Sequence, residues 1–297
     1  MLFDNNLFTV EKKLLSILLM TIGSVAISFN GLVLRNIETA DDWTIIFYRA
    51  LSFSITIFIY LFFIHKKRIF KKIIQIGISG LIGGFVLGIS NVCFILSMTT
   101  TSVANTVFTI SLIPFITALF SLLILKEKLA QITVYTMIAA FFGVLMMFYG
   151  SLKIGELWGN MLALITAISF SIYTIIIRSN KNIDMLPCLL ISGIMAMGLT
   201  SFQNVGSLQI STHDFFLCFL LGGVLSGFVN CCFVFATRHL IAAEATLFFF
   251  IEIALSPFWV WLFLNEIISP NTLTGGIIIL ISILIRALYL RHNKIKI

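Results

Sequence analysis

Apolar residues run through this chain in long, almost unbroken stretches, and short segments between them carry most of the charge. Ten stretches stand out: 14–34, 43–64, 73–97, 103–125, 130–149, 156–177, 186–205, 214–237, 242–264 and 271–290. Crossing a hydrocarbon core of roughly 30 Å takes about 20 residues of helix. The pattern therefore predicts an all-α membrane protein with ten transmembrane helices. The connections are too short to hold a separate soluble domain. The first stretch is too long for a cleaved leader and ends in no A-x-A-like site, so it is expected to remain as a helix.

The polar exceptions inside these stretches carry the chemistry. Glu252 sits near the middle of Ala242–Leu264. An ionised, unpaired carboxylate at that depth costs on the order of 3 kcal/mol by insertion scales. It must face a polar cavity, meet a partner or carry a proton. Arg49 lies inside the second stretch, roughly 9 Å deep at helical rise. It either reaches back to Asp41 or Asp42, or faces a pathway and holds an anionic group. Asn91 and Asn230 need partners that hydrocarbon does not offer; they bridge helices or touch a solute. Thr21, Ser24 and Ser28 share one helical face in the first stretch, as do Thr166, Ser169 and Tyr173 in the sixth. Both stripes either line a central space or bond back to their own helices. Pro114 and Pro257 interrupt the fourth and ninth stretches, each removing a backbone donor. Glu127 and Glu266 close those same stretches, where an interfacial cap or ion pair is expected.

The chain repeats itself. Gly83-Gly84, Asn91, Cys93-Phe94 and Glu127 recur as Gly222-Gly223, Asn230, Cys232-Phe233 and Glu266, at a constant spacing of 139 residues. Ala26-Ile27-Ser28-Phe29 recurs as Ala167-Ile168-Ser169-Phe170 at a spacing of 141, which one short indel explains. Each repeat, 14–149 and 156–290, holds five stretches. An odd number inverts the second repeat relative to the first. Inverted repeats are typical of secondary transporters, with the solute site between the halves near the midplane. Gly80, Gly84 and Gly88 form a small-residue face for close helix packing.

Composition narrows the class further. The chain has 297 residues, of which 60% are hydrophobic and 10% charged, and its mean hydropathy is +1.11. A net charge of +7 raises the possibility of a nucleic-acid partner, but its placement argues against one. With the N-terminus inside, Lys12, Lys13, Lys66–Lys72, Lys126, Lys128, Arg178, Lys181, Arg238 and the basic C-terminal segment gather on one side, and Arg35 and Lys153 on the other. This is the positive-inside bias, with both termini cytoplasmic and basic residues against lipid headgroups. The five cysteines show no metal-ligand spacing, the four histidines form no cluster with acids, and no phosphate-binding loop is present. No cofactor or metal is expected, nor an ATP-driven pump.

Two segments carry a resemblance. Ser102–Gly143 reads SVANTVFTISLIPFITALFSLLILKEKLAQITVYTMIAAFFG, and Ala242–Gly276 reads AAEATLFFFIEIALSPFWVWLFLNEIISPNTLTGG. Both resemble the repeated EamA domain of the drug/metabolite transporter superfamily: a small-residue start, a proline near mid-helix, a glutamate closing the helix, then a glycine-bearing final helix. Tyr48-Arg49-Ala50 fits the arginine common there. Lys126 and Asn265 depart from the usual glycine before the closing glutamate, and Ser282 stands where the first repeat has Gly143. The resemblance implies two inverted five-helix repeats around a central cavity and alternating access. It implies a carrier of amino acids, other metabolites or drugs, often an exporter, in a bacterial inner (plasma) membrane.

The expected function is a secondary, non-ATP transporter of small metabolites, with amino acids or related compounds first. Import or exchange of another metabolite or drug is the alternative, and a membrane-embedded enzyme is the reading from a different class. Such enzymes gather His or acidic residues near one interface, which this chain does not do. A scaffold has little use for intramembrane Glu and Asn. The expected site residues are Glu252, Asn91, Asn230, Ser28, Ser169, Tyr173 and Arg49. The expected partners are a small solute, lipid and protons as a candidate coupling ion, with the chain a monomer or homodimer. The charge asymmetry predicts that cysteines placed at Lys67 and Lys181 react with an impermeant thiol reagent only from the cytoplasm, and one at Gln209 only from outside. Outside labelling at 181 rejects the inverted arrangement.

Overall fold

A computed structural model of the protein describes residues 2–149, 156–202, 208–264 and 269–294. Among the described residues all regular structure is helical. Eight helices are long and apolar enough to cross a membrane: α1 (Glu11–Arg35), α2 (Asp42–His65), α3 (Gly77–Thr100), α4 (Val103–Leu125), α6 (Leu157–Ser179), α8 (Thr212–His239), α9 (Ala242–Phe263) and α10 (Pro270–Tyr289). Two shorter apolar helices, α5 (Gln131–Met147) and α7 (Leu186–Phe202), have 17 residues each. That is about 25 Å of helix, short of a full hydrocarbon core. Lys153 and Glu266 lie outside the described residues.

The apolar sequence is explained by what surrounds the bundle. Phe63, Ile78, Phe142 and Phe216 lie on its outer surface, an arrangement stable in lipid rather than in water. Inside, α3 packs most extensively against α6, α5 against α10, and α7 against both α2 and α3, while α1 runs along α8. The first and second halves are thus interleaved, not side by side.

Small residues set the closest approaches. Gly84 and Gly88 leave no room for a Cβ against Ile191 and Met195 of α7, whereas Gly80 faces Ile76 of its own segment. Gly143 of α5 and Gly275 of α10 each meet the other's backbone carbonyl. In α8 a wide helical turn at Leu220–Ser226 presses Gly222 onto the Arg49 carbonyl and Ser52 of α2.

Three helices are broken. α1 turns at Ser28–Phe29, α4 at Ser111–Leu112 and α9 at Leu247–Phe248. The break in α4 falls just before Pro114, which starts the next segment, where its missing N–H leaves no bond unmade. The break in α9 does not belong to Pro257. That proline lies inside the continuous segment Phe249–Leu264, and the chain turns ahead of it.

Gly222→Ala inserts a methyl where α8 already touches α2 backbone. Overpacking of this kind costs about 1–3 kcal/mol, so the variant should melt several degrees lower in detergent. An unchanged melting temperature means the α2–α8 contact is looser than described.

Candidate functional site

A cavity of about 560 Å³ lies among α1, α2, α3, α4, α6, α8 and α9, with Met147 of α5 and Thr272 of α10 at its edge. It runs from the middle of the bundle toward the end that carries the α1–α2 and α3–α4 connections. Leu34, Met98, Ala104, Phe148 and Thr272 line that outer part. Its polar wall includes Asn30, Arg49, Asn91, Thr166, Ser226, Asn230 and Glu252.

Glu252 stands in the first turn of the segment that follows the break in α9. Backbone N–H groups converge at a helix start and favour a carboxylate there. Among the described residues no side chain forms an ion pair or hydrogen bond with Glu252; Arg49 is near enough for the two charges to interact. Arg49 does not turn back to Asp41, which accepts a hydrogen bond from the Thr44 hydroxyl. Its Nη2 donates to Ser226 Oγ at 3.1 Å, and its guanidinium lies 5.8 Å from the centre of the Phe94 ring. Asn230 donates from Nδ2 to the Ser226 carbonyl at 2.9 Å. Asn91, its repeat mate, lines the same cavity from α3.

The inner limit of the cavity is aromatic. Phe170, Phe233 and Phe249 line it and pack on one another with ring centres 5.0–5.8 Å apart. Tyr173 lies beneath, fully buried against Phe170 and Phe233.

Glu252, Arg49, Asn91 and Asn230 therefore share one space, whereas Ser28, Ser169 and Tyr173 are not among the residues that line it. Ser28 donates to the Val25 carbonyl at 2.6 Å and accepts from Trp259 Nε1 at 2.7 Å, while neighbouring Phe29 stacks on Trp259. The turn after Ile27 rotates the following residues, so Asn30 and Gly31 reach the cavity and Ser28 does not. Ser169 and Tyr173 are buried in the packing around α6. Thr166, on the same stripe, does reach the lining. Thr21 and Ser24, ahead of the break in α1, do not line the cavity either: Thr21 bonds back to the Ile17 carbonyl and Ser24 is buried. The Phe170–Phe233–Phe249 cluster had no separate signal among so many phenylalanines.

The opposite end of the bundle is closed by charge. Glu127 Oε1 accepts from Arg178 Nε at 2.6 Å, and its other oxygen accepts from Ser121 Oγ at 2.8 Å and the Ala242 amide at 3.3 Å. Arg178 also donates to the Thr237 and Arg238 carbonyls at the end of α8. Asp184 sits 2.7 Å from His65 and 2.8 Å from Arg238. Glu244 pairs with Arg286 at 2.8 Å and with Lys13 at 3.9 Å, and Arg286 Nε donates to Thr133. The expectation of an ion pair at Glu127 is met; Glu244 and Arg286 were not singled out, because a basic residue near a helix end reads as a headgroup contact.

A polytopic bundle with an internal cavity, open toward one end and sealed at the other, has the form of a membrane transporter. The family model of the EamA-like transporter family matches residues 14–149 and 157–287, and the chain belongs to that family. It is accordingly an integral membrane protein that transports small molecules. No curated protein matches the chain. Among the solved structures that match, one crystal structure has a TM-score of 0.72 at 13% identity, over 90% of this chain and 96% of that one; at that identity the likeness is one of fold.

Arg178→Ala should leave Glu127 and two helix-end carbonyls without their donor in a poorly hydrated layer. Breaking such a pair costs about 3 kcal/mol or more, seen as a marked fall in melting temperature. Arg178→Lys, which keeps the charge but not the fork, should fall in between. Equal stability of all three proteins shows that the pair carries no load.

Proposed function

We propose that this protein is a secondary transporter that exports amino acids or closely related metabolites by alternating access. In this reading all ten helices cross the membrane, five per inverted repeat (14–149 and 156–290), with both termini in the cytoplasm of a bacterial cell. The cavity then opens outward, and the three charge clusters close the cytoplasmic side. The carrying observation is the cavity itself: Glu252 and Arg49, of opposite charge, line one space with a wall of phenylalanine. A zwitterion offers an ammonium to the first and a carboxylate to the second, and an apolar side chain suits the rings. Asn91 and Asn230 add neutral donors and acceptors from symmetry-related positions. Glu252 can instead carry a proton, which makes proton coupling part of the same reading.

The test is flux in proteoliposomes. Purified protein is first screened by thermal shift against a metabolite library, and the stabilising compounds are then assayed as radiolabelled solutes. Glu252→Gln keeps the shape and removes the titratable group. It should insert normally, with flux at least tenfold lower or a flattened pH profile. Parental flux with parental pH dependence removes Glu252 from the mechanism. Transport of neutral drugs but of no zwitterion favours the alternative cargo.

A further inference from the structure

The repeat spacing allows the cavity to be projected onto the sealed end. Residues whose repeat mates also line the cavity mark its constant centre: Asn91 with Asn230, Phe94 with Phe233, Ser90 with Val229, Ile110 with Phe249 and Ile113 with Glu252. Lining residues farther out map elsewhere. At the spacing of 139, Met98, Met147, Ser256, Val260 and Thr272 correspond to Thr237, Arg286, Thr117, Ser121 and Thr133; at the spacing of 141, Asn30 corresponds to Ser171.

These six mates are polar and buried, whereas others in the lining, such as Leu34, Ala104 and Phe148, map to the apolar Ile175, Ala243 and Ala287. The six lie at the sealed end, within its charge clusters or beside them. Thr133 holds Arg286 and Ser121 holds Glu127. The Thr237 carbonyl takes Arg178, and Thr117 bonds Ser171 at 3.1 Å. A permanently closed interface is made more simply from apolar side chains, since a buried ion pair returns little net stability over them. The hydroxyls of Thr117, Thr133 and Ser171 and the Arg286 guanidinium bond between helices and not only within their own, and such side chains, dry now, suit a surface that is wet at another stage of the cycle.

We infer that Thr117, Ser121, Thr133, Ser171, Thr237 and Arg286 form the wall of a cytoplasmic vestibule, and that the Lys13–Glu244–Arg286 cluster is the lock that keeps it shut. This rests on the inverted-repeat carrier reading but makes its own demand on residues that the outward cavity never uses. The lock joins α1 to α9 and α10, and through Thr133 to α5, so it ties together helices on different sides of the cavity. Two contacts described at the other end are of another kind. Asp214 of α8 takes the 38–40 backbone beside it, and Glu156 takes Thr101 and Ser102 beside α6. Each fastens neighbours that already pack side by side, and neither seals the mouth.

The experiment is thiol accessibility in oriented vesicles, with an impermeant maleimide applied from either side. Single variants Thr133→Cys, Ser171→Cys and Thr237→Cys are compared with Ser192→Cys, buried between α3 and α7, and with the parent and its own five cysteines as background. The three vestibule positions should react from the cytoplasmic side at least tenfold faster than position 192. Adding Arg286→Ala, or Lys13→Ala where that variant fails to fold, should raise the rate severalfold. Rates no higher than at 192, unchanged by the lock variants, or reaction from outside alone, overturn the proposal. Labelling needs no solute, so it is read independently of flux: inert positions in a protein that transports reject the vestibule and leave the carrier intact. Reactive positions in a protein that moves no amino acid establish the vestibule and reject the cargo.

Discussion

An ionisable group inside a bilayer has to be paired or wet, and this constraint organises the whole bundle. At the sealed end the charges are paired: Glu127 with Arg178, Asp184 with His65 and Arg238, Glu244 with Arg286 and Lys13. In the cavity Glu252 and Arg49 are not bound to each other, and an open space adjoins both. The same chemical necessity thus yields two outcomes at two depths. Pairing binds helices into a plug, and the cavity leaves a carboxylate and a guanidinium beside open space. A cavity lined only by phenylalanine and isoleucine would bind apolar compounds with little selectivity, because selectivity comes from a few placed polar groups.

Packing serves this division. Close helix contacts at Gly84, Gly88, Gly143, Gly222 and Gly275 bring backbones together where there is little hydrophobic drive between helices in lipid. Gly222 has a particular role, because the residue it touches is Arg49 itself, through its carbonyl. The backbone that carries the guanidinium is therefore seated on α8, and Ser226 one turn along receives the charged end.

Much of this arrangement was legible in the residues. Glu252, Arg49, Asn91 and Asn230 stand out because each is costly in an apolar run, and cost in a membrane points inward. The paired spacings at Asn91 and Asn230 placed them on related helices before any coordinates. Serines and threonines were a poorer guide. A hydroxyl can bond to its own helix carbonyl at almost no cost, as Thr21 and Thr174 do, so its presence does not report a cavity. Ser28 is likewise taken up, by the Val25 carbonyl of its own helix and by Trp259 of α9. Hydropathy marks ten apolar helices, of which eight, among the described residues, are long enough to cross a membrane, and α5 stops short of its apolar run. Run length measures what lipid tolerates, not where the helical hydrogen bonds stop. The Glu244–Arg286 pair escaped notice because the partners are 42 positions apart in sequence and nothing local links them.

The breaks in α4 and α9 have a mechanical consequence. Each divides a helix into two stiff rods, with the end bonds of the first rod already closed by short-range contacts such as Leu112 N to the Thr109 carbonyl and Leu247 N to the Ala243 carbonyl. Bending at such a joint changes a few torsion angles and opens no hydrogen bond within either rod. Glu252 sits just past one joint. A swing of the second rod of α9 therefore re-aims the carboxylate like the tip of a short lever, while the first rod is held through Glu244.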